Sequence, residues 1–376
     1  MRLTINSVIK PPMQGLSLAE LQQQYAAGQD QKWNAGLDTL FASKVWQDRL
    51  TAGVFSALHK IYGRLQAALP VFAEDFDTVT SDPILCRCAT FVASVRDDRD
   101  LWGRAAERCI RHEPANGFGY HSLGMLRLRQ GRFADARTVL SKGIEMCPQE
   151  AAPLKRWLAI AEHLLRGNSP VHVHFDGLDF TFRVCTFNGH ALDQSGKWLA
   201  GTLPEGDELR FARRFVQQCQ VIAEVGSNVG NHTVFFLKAL RPKRIFAFDG
   251  DAAVIEEWKR NLALNGVYDE AIVLVRHVLL GPSAGQTSFL GGVVDIVTLT
   301  DAVGGGADFV KIDVDGMEME VLEGARGLLQ RYRPKVMIEV AKPFEARFRE
   351  FLAEVKYQVV HQFKRDEDSN YFIAGE

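Results

Sequence analysis

The chain has 376 residues and a formal net charge of −2 at pH 7, so two domains are expected and bulk electrostatic binding to nucleic acid is not. No apolar run approaches the roughly 20 residues that span a bilayer, and the first six residues lack the apolar core of a signal peptide. The six cysteines show no zinc-ligand spacing, which predicts a cytoplasmic protein with reduced thiols.

The first part of the chain, residues 1–168, has the composition of a helical domain, with frequent Ala, Leu, Gln and Arg. Apolar residues recur at helical spacing in residues 18–27, 33–69 and 101–111. Residues 120–148 resemble a tetratricopeptide (TPR) repeat, because the small Gly124 and Ala136 would let two helices pack closely and Pro148 would end the second. The concave face of such a domain favours binding of a protein partner or an acceptor chain, and a structural layer or dimer interface is the alternative.

A β-hairpin is predicted at residues 171–182, about the turn at residues 176–177, which are Asp and Gly. His172 and His174 share one face of its first strand, but no third ligand is nearby, so no metal site is predicted there. Residues 186–203, rich in Gly, Asn and Asp, are a candidate for part of an acceptor pocket or a lid.

Residues 221–231 predict a buried strand that turns tightly into a helix over a ligand. Gly226 lets the backbone turn, and Gly230 is expected to bring the helix start close to the ligand. The pattern Glu-x-Gly-x-Asn-x-Gly differs from dinucleotide and phosphate-loop motifs, and Glu224 would repel a phosphate. An acid suits a ligand with hydroxyls and positive charge, such as S-adenosyl-L-methionine (SAM), and Glu208 in the preceding helix could approach its methionine end. The cofactor-binding candidates in this turn are Glu224, Gly226, Ser227, Asn228, Gly230 and Asn231.

A second acid, Asp249, ends the next apolar strand and is followed by Gly250. It lies 23 residues after Gly226, close to the offset of roughly 20 residues at which an acid accepts hydrogen bonds from ribose hydroxyls. The alternative is that Asp249 only caps the following helix. A third strand, at residues 271–275, leads to His277, which is a candidate to contact adenine and otherwise a solvated loop residue.

The fourth strand carries alternating apolar and charged residues and ends at Asp313 and Asp315, before a turn at Gly316. Ligands of open α/β sheets bind outside the carboxyl ends of the strands, so both acids are expected where methyl donor and acceptor meet. Alternatively, one of them caps the next helix. Lys311 is expected to offset one carboxylate. A fifth strand, with Glu339 near its end, and a closing antiparallel hairpin would complete the sheet.

These motifs resemble the FkbM family of SAM-dependent methyltransferases over residues 205–375. Residues 311–318 are similar to the family's Lys-Ile-Asp-Val-Glu-Gly-x-Glu element, and residues 321–325 to its Val-Leu-x-Gly-Ala. The glycine turn, Phe248-Asp249-Gly250-Asp251 and Asn261–Gly266 also resemble family motifs. The family often has Thr-Leu-Asp before the fourth strand, whereas Asp301 here is shifted by one residue.

The resemblance implies an α/β fold with a Rossmann-like, doubly wound, mostly parallel seven-stranded methyltransferase sheet, preceded here by the all-α TPR-like domain. We expect that helical domain at residues 1–168 and the methyltransferase domain at residues 169–376. Within the second domain, residues 169–204 would form the hairpin and connecting segment, and residues 205–376 the core.

The resemblance also implies methyl transfer, usually to oxygen, so the expected acceptor is a hydroxyl of a sugar, glycan or small molecule. Asp313 is the first candidate to remove the hydroxyl proton, with Asp315 and His190 as alternatives. A metal-assisted route would require Asp313, Asp315 and Glu339 to converge. Natural-product or protein side-chain acceptors, an NAD-dependent oxidoreductase and a non-catalytic scaffold are the other interpretations. The glycine turn lacks the third glycine of the dinucleotide-binding motif Gly-x-Gly-x-x-Gly, which counts against the oxidoreductase.

Overall fold

The computed structural model describes residues 83–376 except residues 188, 290–291, 315 and 366–367. The helices predicted at residues 18–27 and 33–69 lie outside the described residues, and so does Asp315. The backbone of His190 is described, but its side chain is not. Among the described helices, none combines the length and apolar character that crossing a bilayer requires.

Five helices come first in the described chain: α1 Pro83–Arg96, α2 Arg99–His112, α3 Gly117–Arg129, α4 Phe133–Met146 and α5 Ala151–Leu165. The Asp98 and Asn116 side chains accept hydrogen bonds from the first turns of α2 and α3. A Cβ on Gly124 of α3 would lie 2.5 Å from Leu140 of α4, so this glycine permits the predicted close packing. A TPR-like domain remains a prediction, because its first half lies outside the described residues.

The predicted hairpin forms from β1 Val171–Phe175 and β2 Leu178–Phe182, which pair in antiparallel register. Asp176 and Gly177 adopt positive φ angles of 52° and 76°, the conformation that a two-residue hairpin turn requires. Helix α6 (Gly189–Leu199) follows, and Arg156 of α5 donates a 3.0 Å hydrogen bond to its Asp193. The helices and the α/β part of the chain are therefore in direct contact.

The elements after α6 are α7 Gly206–Val216, β3 Val221–Val225, α8 Asn231–Ala239, β4 Arg244–Asp249, α9 Ala252–Leu264, β5 Val273–His277, β6 Leu279–Leu280, β7 Gly285–Phe289, β8 Gly292–Val297, α10 Leu299–Val303, β9 Phe309–Ile312, α11 Glu318–Gly324, α12 Arg326–Tyr332, β10 Lys335–Ala341, α13 Glu345–Val355, β11 Tyr357–Lys364 and β12 Asp368–Gly375.

Seven strands of the described chain form one sheet in the order β11-β12-β10-β9-β3-β4-β5. Strands β3, β4, β5, β9 and β10 pair in parallel, and β12 is antiparallel to both β10 and β11. This confirms the predicted seven-stranded, mostly parallel sheet.

Both faces of the sheet are covered by apolar layers, because successive strand residues point to opposite sides. Ala223 and Val225 of β3 belong to one layer with Leu322 of α11, whereas Ile222 belongs to the other layer with Phe236 of α8. Aromatic residues of the hairpin join the second layer. The hairpin therefore packs as part of the α/β core.

Two asparagines, Asn261 in α9 and Asn265 directly after it, hold the hairpin in place. The Asn265 side chain accepts from the Thr181 amide at 3.0 Å and donates to the Thr181 carbonyl at 2.6 Å. The Asn261 side chain accepts from the Arg183 amide at 3.0 Å and donates to the Val229 carbonyl at 2.8 Å. Asn261 thereby links the segment after the hairpin to the turn before α8.

A small sheet in the order β6-β8-β7 was not predicted from the sequence. Strand β6 has only two residues and β7 is mostly polar and exposed, so neither shows an apolar alternation. Next to this sheet, the Thr298 hydroxyl accepts from the Asp301 amide at 3.1 Å and donates to the Asp301 carboxylate at 2.7 Å. Thr298 therefore caps α10, and the Asp301 carboxylate holds the Thr298 hydroxyl.

Candidate active site

The turn between β3 and α8 lies directly against the end of β9. Gly226 has a φ of 74°, and a Cβ on it would lie 1.8 Å from the Asp313 carbonyl oxygen. Glycine is therefore required here both for the backbone angle and for the close approach. A Cβ on Gly230, by contrast, would lie 2.8 Å from Trp258 of α9. Gly230 therefore lets α9 pack against the turn, and its expected role in bringing the helix start close to the ligand stays a prediction.

Glu224 is fully buried beneath this turn. Its Oε2 accepts a 2.6 Å hydrogen bond from the Thr233 hydroxyl, which itself accepts from Trp258 Nε1 at 2.8 Å. Burial raises the pKa of the Glu224 carboxyl, and the Lys311 ammonium opposes that rise. Its Oε1 has no hydrogen-bond partner among the described residues, so this oxygen can still accept from a ligand.

Two more side-chain atoms of the turn are buried without a hydrogen-bond partner in the part of the chain that the structure describes. They are the hydroxyl of Ser227 and the amide nitrogen of Asn231. Asn228 has a positive φ of 45°, and its side chain accepts from the Val229 amide at 2.8 Å. Because buried polar atoms normally find partners, the turn fits a polar ligand that supplies them.

Asp249 ends β4 beside the turn, where its carboxylate accepts from the backbone amides of Asn228 and Asp251, each at 3.0 Å. Burial raises the pKa of Asp249 to about 6. Helix α9 is capped by Asp251, whose carboxylate accepts from the Ala253 amide at 2.9 Å, so the capping alternative for Asp249 is wrong. Each Asp249 oxygen keeps a further lone pair, and together they can accept from two neighbouring hydroxyls.

His277 lies at the end of β5, directly paired with Asp249 across the two strands. Its Nε2 lies 3.0 Å from the carbonyl oxygen of Gly250, which holds the ring at this edge of the sheet. The structure therefore brings Asp249, Gly250 and His277 together, as the sequence predicted.

On the other side of the turn, Lys311 connects β9 to both the turn and Asp313. This buried ammonium donates to the Gly226 carbonyl at 2.7 Å and lies 3.2 Å from Asp313 Oδ2. Burial disfavours its charge, but the Asp313 and Glu224 carboxylates outweigh that effect and raise the pKa of Lys311. The Asp313 side chain is 30% exposed. Helix α11 begins after Met317 without a side-chain cap, so the capping alternative for Asp313 is wrong.

Sequence reasoning missed two residues that meet Asp313. They are Glu205, at the start of α7, and His232, in α8. One side-chain ligand atom of each lies within 4.8 Å of the other and of an Asp313 carboxylate oxygen. The His232 Nε2 lies 3.1 Å from Glu205 Oε2. Glu205 carries no sequence signal of its own, whereas the position of His232 immediately after the glycine turn could have marked it.

Arg365 is the third missed residue and lies among carboxylates next to Glu205. Its guanidinium lies 3.3 Å from Glu205, 3.0 Å from Glu339 and 3.7 Å from Asp368, and it also donates to Glu208. Glu208, expected to approach the methionine end of the cofactor, and Glu339 therefore both pair with Arg365.

Residues 224–359 match the model of the methyltransferase FkbM domain. Among solved structures, the chain is similar to the methyltransferase FkbM from Methylobacillus flagellatus KT, with 13% identity over 60% of this chain and 61% of that chain and a TM-score of 0.36. It is also similar to a ribosomal protein L11 methylase from Lactobacillus delbrueckii subsp. bulgaricus, with 16% identity over 45% of this chain and 76% of that chain and a TM-score of 0.35. A third similar structure is TrmK of M. capricolum in complex with S-adenosyl-homocysteine, with 11% identity over 45% of this chain and 67% of that chain and a TM-score of 0.33.

A comparison with curated proteins finds no match. The family match supports the predicted methyltransferase activity and implies SAM as its cofactor. The glycine turn, Asp249 and Asp313 all lie within residues 224–359, the part of the chain that matches the methyltransferase FkbM domain.

Proposed function

We propose that this protein is a SAM-dependent O-methyltransferase that acts on a hydroxyl of a sugar, glycan or other small molecule. The observation that carries the proposal is the direct contact between the Gly226 turn and the end of β9. This contact puts the candidate donor site next to the Asp313 carboxylate. Natural-product and protein side-chain hydroxyls are the alternative acceptors.

One side of the candidate site, the turn side around Gly226 and Asp249, would bind the methyl donor. Asp249 would accept hydrogen bonds from the ribose hydroxyls, and His277 would lie near the adenine. The unpartnered polar atoms of Glu224, Ser227 and Asn231 would receive the polar methionine end. SAM, when bound, supplies a methyl group on a sulfonium. Gly226, Asn228 and Gly250 would shape the site through their backbone, and Gly230 through its packing.

Asp313 would remove the proton of the acceptor hydroxyl. Its carboxylate is partly exposed next to the turn, and the Lys311 ammonium at 3.2 Å orients it. Asp315 and His190 remain alternatives for this role. Most of the rate enhancement would come from holding the hydroxyl and the donor in line.

For the remainder of the chain, we propose the domain division at residues 168 and 169, with a TPR-like helical domain that binds a protein partner. Trp102, Tyr120 and Trp157 are buried within the described helices, so aromatic side chains other than these would have to make that contact.

The test is calorimetric titration of the purified protein with S-adenosylhomocysteine, followed by a screen for methyl transfer that starts with glycans. We expect micromolar binding that Asp249→Ala abolishes, whereas Asp313→Asn retains binding and loses turnover. Asp100→Asn, on an exposed side chain of α2, is the matched control. Wild-type protein that is folded but does not bind would refute the proposal, and full turnover by Asp313→Asn would remove Asp313 from the mechanism.

A further inference from the structure

We propose that Glu205, His232 and Asp313 bind a divalent transition-metal cation at the carboxyl ends of β3 and β9. One ligand atom from each residue lies within 4.8 Å of the other two. A cation with bonds of about 2.1 Å holds neighbouring ligand atoms somewhat closer than this, so small side-chain rotations suffice to complete the site.

His232 supplies the observation that points to a ligand. The residue is only 5% exposed, and its Nε2 has no hydrogen-bond partner within the described residues. This nitrogen nevertheless lies 3.1 Å from a Glu205 oxygen. A buried imidazole nitrogen and two carboxylates all attract a positive charge, so a cation between them would satisfy all three groups.

The charge of the surroundings also favours a cation. The Lys311 ammonium pairs with Asp313, and the Arg365 guanidinium is shared among several acids. The described carboxylates around these two cations are more numerous: Glu205, Glu208, Glu224, Asp313, Glu339 and Asp368. The acids of this group therefore keep a net negative charge, which a divalent cation would reduce.

The donor set indicates which cations fit. Two carboxylates and one imidazole suit Mn²⁺, Fe²⁺, Co²⁺ or Zn²⁺ better than Ca²⁺, which needs more oxygen ligands. The side chains of Glu205 and His232 are 7% and 6% exposed, whereas that of Asp313 is 30% exposed. Three protein ligands leave coordination positions open toward the Asp313 side, where an oxygen ligand can bind. Given the proposed function, on which this assignment rests, that ligand is the acceptor hydroxyl.

The experiment measures metal binding and cofactor binding separately on the full-length, chelator-treated protein. Titration with MnCl2, CoCl2 and ZnCl2 should show one tight site, and Co²⁺ should develop a visible absorption spectrum. Glu205→Gln and His232→Ala should weaken the affinity by at least about tenfold. His174→Ala, on an exposed hairpin histidine, is the matched control and should bind metal as the wild type does.

Wild-type protein without a metal site would overturn the inference, and so would variants that bind metal as tightly as the wild type. S-adenosylhomocysteine binding by each variant shows that it is folded. Loss of metal binding with retained cofactor binding in both variants supports the site. A wild-type protein that binds metal but not S-adenosylhomocysteine would refute the proposed function and leave the metal site standing.

Discussion

The two sides of the candidate active site are built in different ways. The turn side, around Gly226 and Asp249, is defined by backbone geometry and leaves buried polar atoms without partners. The acidic side, around Asp313 and Arg365, is defined by ion pairs between side chains from distant segments. The first side should therefore respond most to changes of backbone conformation, and the second to changes of charge.

The largest effect is expected where the two sides touch. Gly226→Ala should lower the free energy of unfolding by at least about 3 kcal/mol, because it adds a steric clash with the Asp313 carbonyl to an unfavourable φ. Gly266→Ala is the control, since Gly266 has a φ of 67° but open space around it, and it should cost only about 1–2 kcal/mol. Urea denaturation measures both, and equal losses would mean that the contact between the two sides contributes nothing.

On the acidic side, Arg365→Met should lower the free energy of unfolding by about 2–3 kcal/mol. The substitution leaves the largely buried carboxylates of Glu208 and Glu339 without this partner. Arg347→Met is the control, because Arg347 lies 3.9 Å from Glu320 with both side chains well exposed, and it should cost less than about 1 kcal/mol. A loss for Arg365→Met no larger than the control's would show that the acids do not depend on Arg365.

The smallest effect is a pH dependence of the turn side. Because burial raises the pKa of Asp249 to about 6, this carboxyl is protonated in the free protein at pH 5 and ionised at pH 7.5. S-adenosylhomocysteine should therefore bind more tightly as the pH rises through 6, by less than about tenfold per pH unit. Titrations at several pH values measure this, and Asp249→Asn should remove the rise. A wild-type affinity that is flat across this range would contradict an ionised ribose acceptor.

The same raised pKa has a consequence for stability. The folded protein holds this proton more tightly than the unfolded chain, so the contribution of Asp249 to stability is greatest at low pH and falls as the pH rises through about 6. Without ligand, the melting temperature should carry this downward component from about pH 4, near the ordinary pKa of an aspartate, up to about pH 6. Comparison of the wild type with Asp249→Asn isolates it, and S-adenosylhomocysteine should offset it.

Much of the turn side could be predicted from the sequence, because its residues lie close together along the chain. An apolar strand, a glycine turn and an acid after the next strand are local patterns, and they placed Glu224, Gly226 and Asp249 together. The close packing of Trp258 against Gly230 could not be predicted, since Trp258 belongs to a helix that packs back onto the turn.

On the acidic side, the sequence marked Lys311, Asp313 and Glu339 at strand ends and Glu208 in the helix before β3. Glu205 and Arg365 are separated by 160 residues. They meet because β12 lies next to β10, which brings the β11–β12 connection to the carboxyl end of the sheet. No local pattern carries that information, so these contacts follow from the strand order alone.

The two asparagines at the end of α9 and just after it bear on the smallest piece of this chain that can fold by itself. Asn261 and Asn265 direct their amides to residues 181 and 183, which precede the family-matched segment by some forty residues. A recombinant fragment cut to residues 224–359 would lose those partners and also strand β12, which lies inside the sheet. The span over which similarity is recognisable is thus shorter than the physical unit of folding, and expression trials should begin no later than β1.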